Sequence, residues 1–304
     1  EYIVEYSVKN TVGKNIEGLT PEEIKKIKIG DPACGSGSFL LGAYSYILDY
    51  HARWYSENKK DKAYKNDYYI NKDGELKVNL EKRGDILRNN IFGVDIDKEA
   101  TEVAIMSLYL KMLDDGFDKG VRDLFFIKGH VLPDMTGNVK CGNSLIGTDY
   151  FEGKLDFDID EMKEIKPFDW DKEFADIFKN GGFDCVIGNP PYSVNSLNIN
   201  PHIERLMLTY KESVRGEQGL VALSDDYLKF LRYGQEILSN KPLKLLGMIT
   251  NRGYLKGIIH RGVRHSILTD FEKVIVSDLH GDSNVGEHPP AGLRNENVFD
   301  IQQG

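Results

Sequence analysis

Residues Asn189-Pro190-Pro191-Tyr192 put an amide, rigid backbone carbonyls and an aromatic ring on four consecutive positions. Two prolines in a row fix φ and remove two backbone donors, so the turn is stiff and its carbonyls point where the chain dictates. The Asn189 side-chain oxygen and the Pro190 carbonyl can accept hydrogen bonds from an exocyclic amino group, and Tyr192 can stack on a flat ring. A nucleobase or a planar amide suits that set. The apolar run Phe183-Asp-Cys-Val-Ile-Gly188 leads into it. That run predicts a buried parallel strand stopping at the carboxyl edge of a sheet, outside which open α/β folds bind their ligands.

A second group of candidates lies near the start of the chain, in Asp31-Pro-Ala-Cys-Gly-Ser-Gly-Ser-Phe-Leu40. Gly35 and Gly37 let the backbone turn sharply and come close to a ligand, since no Cβ intervenes. The loop departs from the dinucleotide pattern Gly-x-Gly-x-x-Gly, because Phe39 and Leu40 follow in place of a third glycine. Asp31 at the strand end is wrong for a pyrophosphate and suits a cationic or amine-bearing ligand. Asp95 ends a second strand, Ile91-Phe-Gly-Val-Asp95, where a carboxylate can take both hydroxyls of a ribose. The usual distance of about 20 residues from the glycine loop is exceeded, and an insertion at about 55–78 explains the lengthening. Asp97 is read as the cap of the next helix.

The elements that must position these residues alternate. Short strands are expected at 27–31, 91–95, around 139–141, at 183–187, at 245–250 and at Lys273–Asp278. Helices are expected from about Ser38 to Trp54, over Leu80–Asn90, Lys98–Leu113, about Asp225 to Leu238, and Gly257–Leu268. In Lys98–Leu113, residues Ala100, Val103, Ala104, Met106, Leu108, Leu110 and Leu113 supply the apolar side. Residues after Tyr192 read as a long polar loop. Strands alternating with helices of this length imply βαβ units and a mostly parallel sheet with helices on both faces.

The 304 residues carry a net charge of −9, which argues against capture of nucleic acid by the whole surface. The charge is uneven: residues 149–176 are strongly acidic, whereas 251–265 hold Arg252, Lys256, Arg261 and Arg264 and no acid. That basic segment reads either as a grip for phosphates or as a solvated helix face. The three cysteines lie far apart with no His at ligand spacing, so reduced thiols are expected and no metal site. No apolar run approaches a membrane span. Pro133-Asp134 with Glu164-Ile-Lys166 mimics a nuclease pattern and is read as chance in a chain this rich in Glu and Lys. No Walker motif occurs, and His280 and His288, in a polar loop, read as solvated or phosphate-proximal in preference to metal ligands. Both ends of the chain break off inside or beside predicted elements, as in a fragment of a longer polypeptide.

Taken together, Asp31–Phe39, Gly93-Val-Asp-Ile-Asp97 and Gly188-Asn-Pro-Pro-Tyr192 resemble the amino-group DNA methyltransferases. The likeness is to the gamma-class N6-adenine enzymes of type IIG and related single-chain restriction–modification systems, in motif order as well as content, over essentially the whole chain. The resemblance implies a Rossmann-like methyltransferase domain spanning 1–304 and S-adenosyl-L-methionine as cofactor. It assigns Asp31, Ala33, Cys34 and the Gly35–Gly37 backbone to the methionine part, covered by Tyr2 to Tyr6. Asp95 goes to the ribose, Ile96 to the adenine face, and Asn143 to the adenine amino group, where the family often has Asp.

Asn189, Pro190, Pro191 and Tyr192 become the catalytic tetrapeptide acting on a base flipped out of double-stranded DNA. Phe299 becomes the second aromatic wall of the base pocket, or else a core residue of a final strand. The resemblance also implies a prokaryotic cytoplasmic protein, with a target-recognition domain after residue 304 and nuclease or translocase domains on the same parent chain. Two other readings compete. One is a methyltransferase of protein glutamine, whose family also presents Asn-Pro-Pro-Tyr to a planar amide. The other is a silent domain that binds DNA or a partner subunit. The form of the cofactor loop argues against the first, and intact Asp95 and Asn189–Tyr192 against the second.

Overall fold

A computed structural model describes residues 2–59, 61–114, 132–152, 159–193, 196 and 198–279. They divide into a larger unit, 1–189 with 236–248, and a smaller one, 190–235 with 249–304. All the strands named here lie in the larger unit: β1 (Ile29–Asp31), β2 (Tyr68–Ile70), β3 (Leu76–Val78), β4 (Ile91–Asp95), β5 (Val139–Cys141), β6 (Cys185–Gly188) and β7 (Leu245–Met248). Five of them form one parallel sheet in the order β5-β4-β1-β6-β7. β1, β6 and the first four residues of β4 are buried throughout. Such unbroken apolar runs are what a parallel sheet covered on both faces requires.

The chain builds outward from β1 through β4 to β5, then returns to place β6 on the other side of β1. The reversal makes the β1/β6 boundary a topological switch point, where open α/β sheets take their ligands. The helices of this unit begin α1 (Tyr2–Asn10), α2 (Val12–Ile16), α3 (Pro21–Ile24), α4 (Ser38–Glu57), α5 (Leu80–Asn90) and α6 (Lys98–Leu113), of which α1 and α4 lie on one face of the sheet. A Cβ on Gly93 would meet Leu40 and Cys34, and one on Gly247 would meet Ser7 and Thr11. On the opposite face Phe92, Trp170, Phe174 and Phe183 meet edge to face or tilted, at 5.3–5.9 Å between centroids. Gly30 lies beneath them: its missing Cβ would be 3.0 Å from Phe183.

Several expectations need correction. α6 (Lys98–Leu113) has the expected bounds but buries Thr101, Ala104, Leu108 and Met112. Val103, Met106 and Leu110 are more than half exposed or at half, at 50, 58 and 63%. Small residues face inward because α6 passes close to the glycine loop: a Cβ on Gly37 would lie 2.9 Å from that of Ala104. The expected insertion carries regular structure. α4 runs on to Glu57, and β2 and β3 form an antiparallel hairpin. Tyr55 of α4 stacks on Tyr68 at 5.5 Å and donates from Oη to Asp67.

In the smaller unit a helix, Pro201–Lys211, lies within the expected polar loop, with the Asn200 side chain accepting from the Ile203 amide as its cap. Residues 273–278 form no strand. The helix expected over 257–268 breaks into Gly253–Lys256 and Arg261–Asp270. Cys34 and Cys185 are buried and Cys141 is exposed.

Candidate active site

In the larger unit, the ends of β1, β4 and β6 bring the sequence candidates together. Asp31, the last residue of β1, is 1% exposed. Burial pushes its carboxyl up to about 8, the charge of Asp95 adds to the rise, and a hydrogen bond from the Ala33 amide opposes it. Asp95, the last residue of β4, accepts the Gly35 amide on one oxygen at 2.8 Å and the Asp97 amide on the other at 2.9 Å. It thus locks the glycine loop against the second strand and keeps a lone pair on each oxygen for a diol. Asp97 caps α6, accepting from Glu99 and Ala100, as expected.

Gly35 has φ +51° and Gly37 φ +89°. These left-handed conformations favour glycine. Among the described residues, its chain neighbours apart, no atom lies within 4 Å of where a Gly35 Cβ would stand, so the loop opens there. Cys34 turns inward, its Sγ 3.0 Å from the position of a Gly93 Cβ, and both its backbone groups bond within the site, to Val94 and Gly37. Burial raises its thiol pKa well above the ordinary value, with Asp31 and Asp95 adding to the rise. Its part is therefore to pack the loop onto β4. Ile96 is 45% exposed, an apolar face beside Asp95. Asn143 is buried; its side-chain oxygen accepts from the Leu145 amide at 3.0 Å.

Two interactions of the site escaped the sequence reading. Ser144 is buried and donates to the Pro32 carbonyl at 2.6 Å, tying the segment after β5 to the glycine loop. Its only sequence signal was its place beside Asn143. Gly188 ends β6, and a Cβ there would come 2.8 Å from an Asp31 oxygen. Only glycine lets the strand leading into Asn189 pass that close to a buried carboxyl.

Asn189 ends its stretch of the larger unit, exposed at the carboxyl edge of β6. Pro190, Pro191 and Tyr192 belong to the smaller unit. There Tyr192 is half-buried, its ring 5.9 Å from that of Tyr227 and tilted by 46°. Burial, with the Asp225 charge, pushes its hydroxyl up to about 12, so it stays a neutral ring. Asp225 accepts the Ser193 amide at 2.9 Å, and the Asp226 amide donates back to the Ser193 carbonyl. Asp226 also bonds Ser196 and Asn198, and buried Lys229 donates to Ser196 and to the Asn198 carbonyl. The helix Asp226–Ile237 is thus the anchor of the turn that follows the tetrapeptide. Phe299, His280 and His288 lie outside the described residues.

Three cations of the basic segment have partners in the smaller unit. Arg252 pairs with Asp278, Arg261 with Glu217 and the Ser213 carbonyl, and Arg264 donates to the Tyr254 and Gly257 carbonyls. Among the described residues, no His, Cys, Asp or Glu group is placed to hold a metal ion. None of their helices is long and apolar enough to cross a membrane.

The sequence matches the family described as Eco57I restriction-modification methylase over residues 89–285, well over half of the chain. The chain belongs to that family. Residues 6–135 of this methylase-family chain also match the family described as N-6 DNA Methylase. It is 28% identical over 261 residues to the Escherichia coli type II restriction enzyme and methyltransferase RM.Eco57I, covering 84% of this chain and 23% of the relative. Against the adenine-specific methyltransferase PglX of Streptomyces coelicolor it is 26% identical, covering 84% and 19%. The chain therefore spans about a fifth of the length of these relatives. Its fold is shared with the DNA-bound Type ISP restriction-modification enzyme LlaBIII, at TM-score 0.55, 16% identity and coverage of 88% and 16%. It is shared also with DrdV in complex with DNA, at TM-score 0.55, 15% identity and coverage of 93% and 23%.

Proposed function

We propose that this chain transfers a methyl group from S-adenosylmethionine to the N6 amino group of adenine in DNA, as the modification part of a restriction–modification system. The observation that supports this best is the pairing of Asp31 and Asp95 on the ends of adjacent strands, closed over by a glycine loop that Asp95 itself holds. The donor set fits the cofactor: a buried carboxyl for a cation, a diol-binding carboxylate, an exposed apolar face at Ile96, and open space at Gly35.

When bound, the cofactor supplies a sulfonium methyl for in-line displacement. The chain's own residues do the rest. Asp31 takes the amine of the methionine end, Asp95 the ribose hydroxyls, Ile96 the purine face and Asn143 the purine edge. An arylamine is a poor nucleophile because its lone pair is delocalised. The Asn189 amide oxygen and the Pro190 carbonyl each accept one N–H, drawing the nitrogen toward tetrahedral geometry and freeing that pair. Tyr192 stacks on the flipped base, worth roughly 1–3 kcal/mol. Positioning supplies most of the remaining acceleration, for which roughly 7–11 kcal/mol is available in favourable cases. Double-stranded DNA is the substrate, and further domains of the parent polypeptide supply sequence recognition. Membership of a restriction–modification methylase family favours adenine over a protein glutamine.

Incubation with labelled S-adenosylmethionine and duplex DNA, followed by nucleoside mass spectrometry, tests the reading. N6-methyladenine lost in Asn189→Ala supports it. A folded wild-type chain that takes up no cofactor, or that methylates protein in place of DNA, overturns it.

A further inference from the structure

Lys166 belongs to the chance-like Glu-x-Lys match and has no place in the reading above. It follows the short helix Ile159–Ile165, and its amide donates to the Met162 carbonyl. Its φ is +49°, the only positive value at a non-glycine among the described residues. The position just past a helix end ordinarily goes to glycine, which adopts this conformation without penalty. A lysine kept there against the backbone preference points to work done by its side chain.

The Nζ of Lys166 donates to the Ile96 carbonyl at 2.9 Å, and the Cys141 thiol donates to the same oxygen at 3.5 Å. The other end of that peptide group is the Asp97 amide, which donates to Asp95. One peptide plane, fixed at both ends, therefore sets where the Asp95 carboxylate and the Ile96 side chain lie. A cation on the carbonyl also polarises the peptide and strengthens the bond its N–H makes to Asp95. The backbone carbonyl of Lys166 accepts the Asn143 amide at 2.7 Å, with a bridge between Asn143 and Pro167. The Lys166 side chain is not core filling: it is half-buried and lines a cavity of ≈ 480 Å³ together with Cys141, Thr148, Phe151, Met162 and Pro167.

We propose that Lys166 is a positioning residue for the nucleoside end of the cofactor, its ammonium holding the Asp95–Ile96–Asp97 turn and its carbonyl holding Asn143. The inference rests on the cofactor reading above. Lys166→Gly separates the side chain from the backbone, since glycine keeps the left-handed conformation and the Asn143 bond while losing the ammonium. Cofactor affinity by calorimetry, thermal unfolding and steady-state kinetics are measured on wild type, Lys166→Gly, Lys166→Arg and Asp95→Ala.

The expected result for Lys166→Gly is a dissociation constant for S-adenosylmethionine raised roughly tenfold, the worth of one charge-assisted hydrogen bond. Its melting temperature is expected to stay equal or rise, with kcat at saturating cofactor unchanged, and Lys166→Arg restores most of the affinity. Unchanged affinity in Lys166→Gly, with Asp95→Ala abolishing binding, overturns the proposal and leaves the cofactor reading standing. Affinity lost only in step with melting temperature also overturns it, as does a fall in kcat alone. A folded wild-type chain that does not bind S-adenosylmethionine overturns both.

Discussion

Replacing Asp31 by Asn should stabilise the empty protein at neutral pH and weaken it as a cofactor binder. Asp31 is 1% exposed and its carboxyl stands at about 8, against 3.8 for the ordinary group. Between those values the folded chain holds a proton that the unfolded chain has shed. The folded state then binds more protons than the unfolded one, so stability falls as pH rises through the window and levels off above about 8. Each pKa unit corresponds to about 1.4 kcal/mol, so the four units separating the two states amount to roughly 6 kcal/mol across the window.

Asn keeps the shape and the bond from the Ala33 amide but has no proton to lose. The stability difference, variant minus wild type, should grow by about 1.4 kcal/mol per pH unit from about pH 5 to about pH 7.5. Urea unfolding of both proteins at intervals across that range measures it, and taking the difference cancels every other titrating group. Binding of a cationic ligand should reverse the preference, ionising Asp31 with release of close to one proton near pH 7 (read from calorimetry in buffers of different ionisation enthalpy). Parallel stability curves for the two proteins would refute the reasoning, because they would mean that Asp31 is ionised in the fold.

Gly188→Ala brings a methyl group 2.8 Å from the Asp31 carboxyl oxygen; overpacking of this kind should cost about 1–3 kcal/mol. Denaturant midpoints measure that loss, and cofactor affinity should fall with it. Asp225→Ala leaves the half-buried Ser193 amide without its acceptor and frees the turn after the tetrapeptide. Loss of that bond, about 1–3 kcal/mol, should lower kcat roughly tenfold or more with cofactor affinity unchanged, since the bond holds the turn after the tetrapeptide. Equal losses in both constants would show that the turn is not the element disturbed.

Much of the sheet could be read because parallel strands are buried on both faces and so appear as unbroken apolar runs. Ile29–Asp31, Ile91–Asp95 and Cys185–Gly188 each end in a residue of the candidate site, which located the ligand edge before any coordinates. The buried side of α6 could not be read. Its contact with the Gly37 loop selects small residues, so Ala104 and Thr101 lie inward while Val103, Met106 and Leu110 lie outward, against the apolar pattern. The hairpin of β2 and β3 was hidden because three-residue strands are too short to show a period, and its stability comes from stacking on Tyr55 of a different element. The run at 273–278 had strand composition but joins no sheet among the described residues. The roles of Asp225, Ser144 and Lys166 could not be read for one shared reason: each acts through a backbone group distant in sequence, and no local pattern announces such a bond.

The uneven burial of the cysteines makes the protein its own chemical probe. Cys34 and Cys185 are enclosed and their thiols are held protonated, the latter pushed up to about 12 by burial. Cys141 alone is accessible. A maleimide dye added in slight excess should therefore settle on one position, at the end of β5 and against the Ile96 carbonyl. No engineered attachment point is required, and the fluorophore would stand against the turn whose movement on ligand uptake it would report.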